Sequence, residues 1–143
     1  MPSEKLGLTN LQVLDETENI GRIGDIVETP FEVFVELLKT RFSLTDIKLI
    51  GDHKATIKKV ALSLGSGSHH MSFAKRKGCD VFLTGDVTYH LALDAIQMGL
   101  TILDIGHYAE VIFKDSIFND LSQKFSDIEF IKSQVNTNPY IAL

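Results

Sequence analysis

The sequence predicts an α/β domain built on a mixed sheet with βαβ crossovers and flanking helices. Three observations carry that expectation. Asp80–Leu83 and Leu100–Ile105 are short apolar runs separated by a helix-compatible span that ends at Gly99, the pattern of parallel strands joined by a right-handed crossover. The pattern extends upstream, where Lys59–Leu64 (KVALSL) reads as a strand and Met71–Lys77 as a short helix. Asp46–Ile50 and Thr56–Leu64 flank the turn-forming Gly51-Asp52-His53-Lys54, which predicts an antiparallel pair and so a mixed sheet.

The totals fit that class. A chain of 143 residues with 44% apolar and 8% aromatic content can bury a core, and residues 1–143 read as one domain. A net charge of −5 argues against a sequence-independent nucleic-acid binder. The basic run Lys75-Arg76-Lys77 reads as a solvated helix end. The single cysteine, Cys79, has no internal disulfide partner and reads as a buried core thiol. Without a signal peptide or an apolar span near membrane length, the expectation is a cytoplasmic protein with no membrane association.

Taken in order, residues 1–28 form an irregular lead-in, with Gln12–Leu14 as one short strand and NIGRIG as a glycine-punctuated loop. Thr29-Pro30-Phe31-Glu32 predicts a helix start with Thr29 as N-cap and Glu32 closing a capping box. Phe31, Phe34, Val35, Leu38 and Phe42 follow at helical spacing and predict a buried face. His53, in its turn, reads as exposed and uninvolved. Asp86 is expected to cap the central helix, whose apolar face carries Val87, Leu91 and Met98, with Gly99 just past its end. After Glu110 a helix is expected to reach about Phe125, burying Phe113, Ile117, Leu121 and Phe125, with Glu110 and Lys114 paired. Glu129–Val135 reads as a last strand, and Asn136-Thr137-Asn138-Pro139 ends regular structure.

Crossover topology places the turns after successive parallel strands on one rim of the sheet, where open α/β sheets bind ligands. Three turns qualify: GSGSHH at 65–70, Thr84-Gly85-Asp86, and Gly106-His107 leading to Glu110. His69, His70, His90 and His107 then gather on or near that rim with Asp86 and Glu110. The first turn reads as an anion cradle, as a metal contact through His69 or His70, or as a tight connection with exposed histidines. Asp86, His90 and Asp94 recur at intervals of four as a polar stripe; Asp86 and His90 lie nearest the rim. His107 and Glu110, at i and i+3, share one face, and imidazole plus carboxylate suits zinc, iron or manganese. The same pair also reads as a carboxylate complementing a helix dipole beside a capping histidine.

The segments VALSLGSGSHHM, GCDVFLTGDVTYHLALDAIQMGL, ILDIGHYAE and VNTNPY, with the upstream NIGRIGDIVETPFEVF, resemble the C-terminal half of the NIF-three-like family. Members are often named GTP cyclohydrolase I type 2 homologues. The resemblance spans Asn19 to Leu143 and implies one half of a two-lobed fold, with a dinuclear metal site in the cleft and assembly into homo-oligomers, commonly hexamers. It carries the metal-ligand role onto His107 and Glu110, and places Asp86 and His90 beside the metals as catalytic candidates. Many members space the glutamate four residues after the histidine; here the interval is three. His69 and His70 have no counterpart role. The family's N-terminal half, with its paired histidines and aspartate, is missing from the sequence, so the chain reads as a fragment, a split subunit or an excised domain.

Three functions follow as expectations. The first is a metal-dependent hydrolase domain holding part of a site for two divalent ions. The resemblance implies a small-molecule substrate of the nucleotide class, with opening of the GTP purine ring as the reaction. The second is a non-catalytic domain for oligomerisation or partner binding with an incomplete metal site. The third is an anion-binding module using GSGSHH.

Overall fold

The structure is a computed structural model that describes residues 1–141; Leu143, where the family resemblance ends, lies outside them. Six strands form one sheet: β1 (Thr9–Asp15), β2 (Ile20–Pro30), β3 (Lys48–Ile50), β4 (Thr56–Leu62), β5 (Val81–Thr84) and β6 (Ile102–Asp104), in the spatial order β1-β2-β4-β5-β6-β3. Strands β4, β5 and β6 are mutually parallel, while β2 pairs antiparallel with both β1 and β4, and β3 antiparallel with β6. The mixed α/β sheet read from the sequence is therefore the fold.

Side chains alternate across the strands, so each feeds both faces. Val60, Leu62, Val81, Leu83 and Leu103 point to one side, where they pack with Phe31, Phe34, Leu38 and Phe42 of α2 (Phe31–Phe42) and Leu6 of α1 (Pro2–Leu6). Ala61, Phe82 and Ile102 point to the other side, against Met71 and Ala74 of α3 (Met71–Arg76) and Ala95 of α4 (Tyr89–Gln97). The predicted buried face of α2 is present, with Phe34 and Leu38 fully buried. Val87, Leu91 and Met98 pack partly buried on the second cluster, and Gly99 follows α4 with φ 63.

Several expectations are corrected. The first 28 residues are not irregular: they hold α1, β1 and most of β2. NIGRIG reads as a loop because of its glycines, yet both lie inside a strand where neighbouring backbone comes close. A Cβ at Gly24 would stand 2.7 Å from the Thr9 carbonyl oxygen, and one at Gly21 2.9 Å from that of Leu62. The Asp46–Ile50 and Thr56–Leu64 segments run in opposite directions but are not neighbours, because β3 pairs with β6 at the far edge. The five residues between them cross beneath β6 and β5, a span of about 14 Å that five extended residues can bridge.

Thr29 does not cap α2. Its hydroxyl donates to the Val27 carbonyl at 2.6 Å, Pro30 occupies the cap, and Glu32 pairs with His53 Nε2 at 2.9 Å. His53 also stacks on Phe31, with ring centroids 4.2 Å apart, so it is exposed but engaged. The basic run at the end of α3 is also tied down, Lys77 Nζ donating to the Val13 carbonyl and to Glu16, each at 2.7 Å. Asp86 lies outside α4 with φ 54, and Thr88 is the cap, its hydroxyl accepting from the Leu91 amide.

After Gly106 the chain makes a 3-10 turn (His107–Ile112) before α5 (Phe113–Lys124). Phe113, Ile117 and Phe125 are exposed instead of buried. Glu110 pairs with His107 and not with Lys114, whose ammonium donates to the Val135 carbonyl. Residues 129–135 contain no strand; among the described residues regular structure ends at Lys124.

Candidate functional site

The parallel register of β4, β5 and β6 brings the segments after Leu62, Thr84 and Asp104 to one rim. Three side chains meet there. His107 Nδ1–H donates to Asp86 Oδ2 at 2.6 Å, and the Ser66 hydroxyl donates to the same oxygen at 2.7 Å. Ser66 Oγ also stands 3.3 Å from His107 Nδ1. On the far side of the ring, His107 Nε2 is 3.1 Å from Glu110 Oε2. Residues from three separate turns thus converge, as crossover topology predicted for Asp86, His107 and Glu110.

Local chemistry fixes this geometry. Gly65 has φ +68, and a Cβ there would stand 2.5 Å from Glu110 Cδ, so only glycine leaves room for that carboxylate. Gly85 admits the backbone of Gly106 and His107 in the same way, at 2.7–2.9 Å from its virtual Cβ. Buried Asp104 ties two of the turns together: Oδ1 accepts from the Gly106 amide at 2.9 Å and Oδ2 from the Val87 amide at 3.2 Å.

The electrostatics follow from these contacts. The Ser66 hydroxyl and the His107 ring hold the Asp86 carboxyl below its ordinary value. The hydrogen bond to Asp86 raises the His107 imidazole, with slight burial opposing it and Glu110 adding to it. Both rings of contact are about half exposed, so the site is wet and reachable. An open cleft of about 1010 Å³ lies beside Asp86 and His107, walled also by Lys48, Asp104, Tyr108 and the C-terminal segment, a volume suited to a small molecule.

His90 sits apart from this cluster. It is exposed in the first turn of α4 with its ring edge-on to Tyr89, and among the described residues no hydrogen bond or ion pair joins it to Asp86 or His107. His69 is exposed, but His70 is only 3% exposed, so the reading of this turn as a tight connection with exposed histidines fails for His70. Its Nε2 faces Asp15 Oδ2 at 3.7 Å and Glu18 Oε2 at 3.8 Å.

His107 Nε2 and Glu110 Oε2 are the rim atoms that could hold a divalent ion. Ligand arms of about 2.1 Å place two donor atoms roughly 3.0–3.4 Å apart, from octahedral to tetrahedral angles, and Nε2 and Oε2 stand 3.1 Å apart. Asp86 on Nδ1–H would then fix the tautomer and leave Nε2 as the ligating nitrogen. Sequence reasoning missed Ser66, Gly65 and Asp104. Ser66 and Gly65 act through contacts 20 to 45 residues away and Asp104 through amides 2 and 17 residues away, and no local pattern marks them.

The family described as Duf34/NIF3 (NGG1p interacting factor 3) matches this chain over residues 1–139. The chain is 36% identical over 141 residues to the GTP cyclohydrolase 1 type 2 homolog of Lactococcus lactis, a match covering 96% of this chain and 55% of that protein. It is 35% identical over 131 residues to the Bacillus subtilis protein of the same name, covering 88% and 35%. The chain therefore spans between about a third and about half the length of these relatives. Its fold matches a Bacillus cereus protein related to NIF3 with a TM-score of 0.80 and 32% identity, over 87% of this chain and 35% of that one. A Staphylococcus aureus protein matches with a TM-score of 0.88 over 99% of this chain and 62% of its own, and at 22% identity that likeness is one of fold. The chain belongs to the Duf34/NIF3 family.

Proposed function

We propose that this chain supplies His107 and Glu110 as ligands of a divalent metal centre in a hydrolase, with Asp86 orienting His107. The observation that carries this reading is the two-sided engagement of the imidazole: Asp86 at 2.6 Å on Nδ1 and Glu110 at 3.1 Å on Nε2. A carboxylate, histidine and second carboxylate in that order are the parts of an oriented metal ligand pair. When bound, divalent ions supply Lewis acidity and lower the pKa of the water they hold. Asp86 keeps the ring turned, and the Ser66 hydroxyl donates to Asp86 Oδ2 and lowers its carboxyl further below the ordinary value. His90, on the solvent side of α4, is the chain's candidate for carrying protons to or from the cleft.

A catalytic zinc usually has three protein ligands, and this rim provides two, so the proposed centre is completed by groups beyond this pair. The relatives' names point to a nucleotide substrate, and Lys48 in the cleft wall is a candidate contact for its phosphates. Elemental analysis of purified protein tests the ligand assignment: His107→Ala is expected to lose one equivalent of metal relative to wild type. Equal metal content in the two would overturn it.

A second reading, self-association, is favoured by one observation. Phe113, Ile117, Ile128 and Ile131 present apolar surface at 54%, 49%, 52% and 87% exposure on and after α5. Sedimentation should then show an oligomer that Ile117→Glu weakens. A monomer at every concentration would remove this reading.

A further inference from the structure

A second group of potential ligands lies on the same rim, two strands from the first. Strand β1 runs parallel to β4, with β2 between them, so Asp15 at the end of β1 reaches the rim beside Ser63. His70 is buried there, and its Nε2 has no hydrogen-bond partner. That atom faces Asp15 Oδ2 at 3.7 Å and Glu18 Oε2 at 3.8 Å, and the three ligand atoms all lie within 4.8 Å of one another.

These separations are too long for hydrogen bonds. They are close to the edge of a tetrahedron with arms of about 2.1 Å, which is about 3.4 Å. The remaining polar side-chain atoms of His70 and Asp15 are already committed. Ser63 Oγ is 3.3 Å from His70 Nδ1, which leaves Nε2 as the ligating nitrogen. Asp15 Oδ1 accepts from the amides of Thr17 at 2.9 Å and Glu18 at 3.4 Å, which leaves Oδ2 facing the histidine. Gly67 packs against Ser63, where a Cβ would stand 2.6 Å from the serine Cβ. Asp15 is 4% exposed, whereas the Glu18 side chain is 60% exposed and opens the group to solvent. Two carboxylates around one unpartnered imidazole nitrogen favour a cation over an anion.

We infer that Asp15, Glu18 and His70 form a separate binding site for a first-row divalent cation of the zinc type. One imidazole and two carboxylates suit such an ion, with a fourth position open past Glu18. Bound there, the ion pins the β1–β2 hairpin to the turn that leads into α3. The site uses none of the residues assigned to the hydrolase centre, so the two assignments fail independently.

The test uses the full chain with the rim ligands removed, His107→Ala with Glu110→Gln, titrated with zinc chloride against a chromophoric chelator. One zinc per chain is expected to remain, and its binding should raise the thermal midpoint. Adding Glu18→Gln, a change at an exposed position, should weaken that zinc by on the order of tenfold or more, since even indirect partners of a ligand contribute that much. In the wild type, zinc should shift the His70 ring resonances in the nuclear magnetic resonance spectrum. Loss of all zinc in the rim-deleted chain would overturn the inference. So would Glu18→Gln binding zinc as tightly as its parent, or His70 resonances that do not respond.

Discussion

Replacing Gly65 by alanine tests the link between backbone and site. At φ +68 any L side chain is strained, by about 1–2 kcal/mol. For a chain of this size that lowers the thermal midpoint by roughly 3–8 °C. The new methyl would also collide with Glu110, whose Cδ lies 2.5 Å from the virtual Cβ. The carboxylate is the mobile end of a side chain, so it swings away while the fold survives, and His107 loses its partner on Nε2. Gly78→Ala is the matched control, because Gly78 has φ +69 and open space around the virtual Cβ. Both variants should therefore lose similar stability, read by thermal unfolding. Only Gly65→Ala should lose metal affinity at the rim, by on the order of tenfold or more, read by zinc titration in a Glu18→Gln background. Equal metal affinity in the two variants would refute the reasoning that Gly65 exists to admit Glu110.

Three further outcomes follow. Phe34→Ala removes a fully buried ring from the α2 face and should cost about 3–5 kcal/mol in denaturant unfolding. Metal-free, the Asp86–His107 pair should stabilise most between pH 3.8 and 6.5, the two ordinary values. Above that window its contribution fades as His107 loses its proton through a raised pKa, and below it as Asp86 gains one through a lowered pKa. Both groups are half exposed, so the effect is small; the stability difference from Asp86→Asn across pH measures it, and a difference that grows above pH 8 would contradict it. The Cys79 thiol, pushed up to about 12 chiefly by burial with Asp80 adding, should resist thiol reagents in the native protein at pH 8 and react fast on unfolding.

The parts of the fold that read directly from residues are those buried on both faces. Strands β5 and β6 are continuous apolar runs because helices cover both sides, and the rim follows from their parallel connection. Edge structure was harder to read. The first four residues of β1 are exposed, so Thr9–Asp15 lacks a clear pattern, and the β2 glycines, placed there for close backbone approach, mimic a loop. The spacing of Phe113, Ile117, Leu121 and Phe125 reads as a buried helix face, yet Phe113, Ile117 and Phe125 are exposed and Phe125 lies just past α5. Periodicity shows that such a face exists but not whether anything in the chain covers it. His70 shows the same limit in the site. A turn histidine reads as solvent-facing until Asp15, 55 residues earlier, arrives beside it through the β1–β2–β4 ladder. Asp104 was unreadable for a related reason, since its carboxylate is defined by two amides in neighbouring turns.

Anomalous diffraction from crystals soaked in zinc or manganese locates any ion held by His107. A peak is expected about 2.1 Å from both His107 Nε2 and Glu110 Oε2, with Asp86 still on Nδ1. A peak on the Nδ1 side shared with Asp86, or no peak at His107 while Asp15, Glu18 and His70 are occupied, would contradict the ligand assignment.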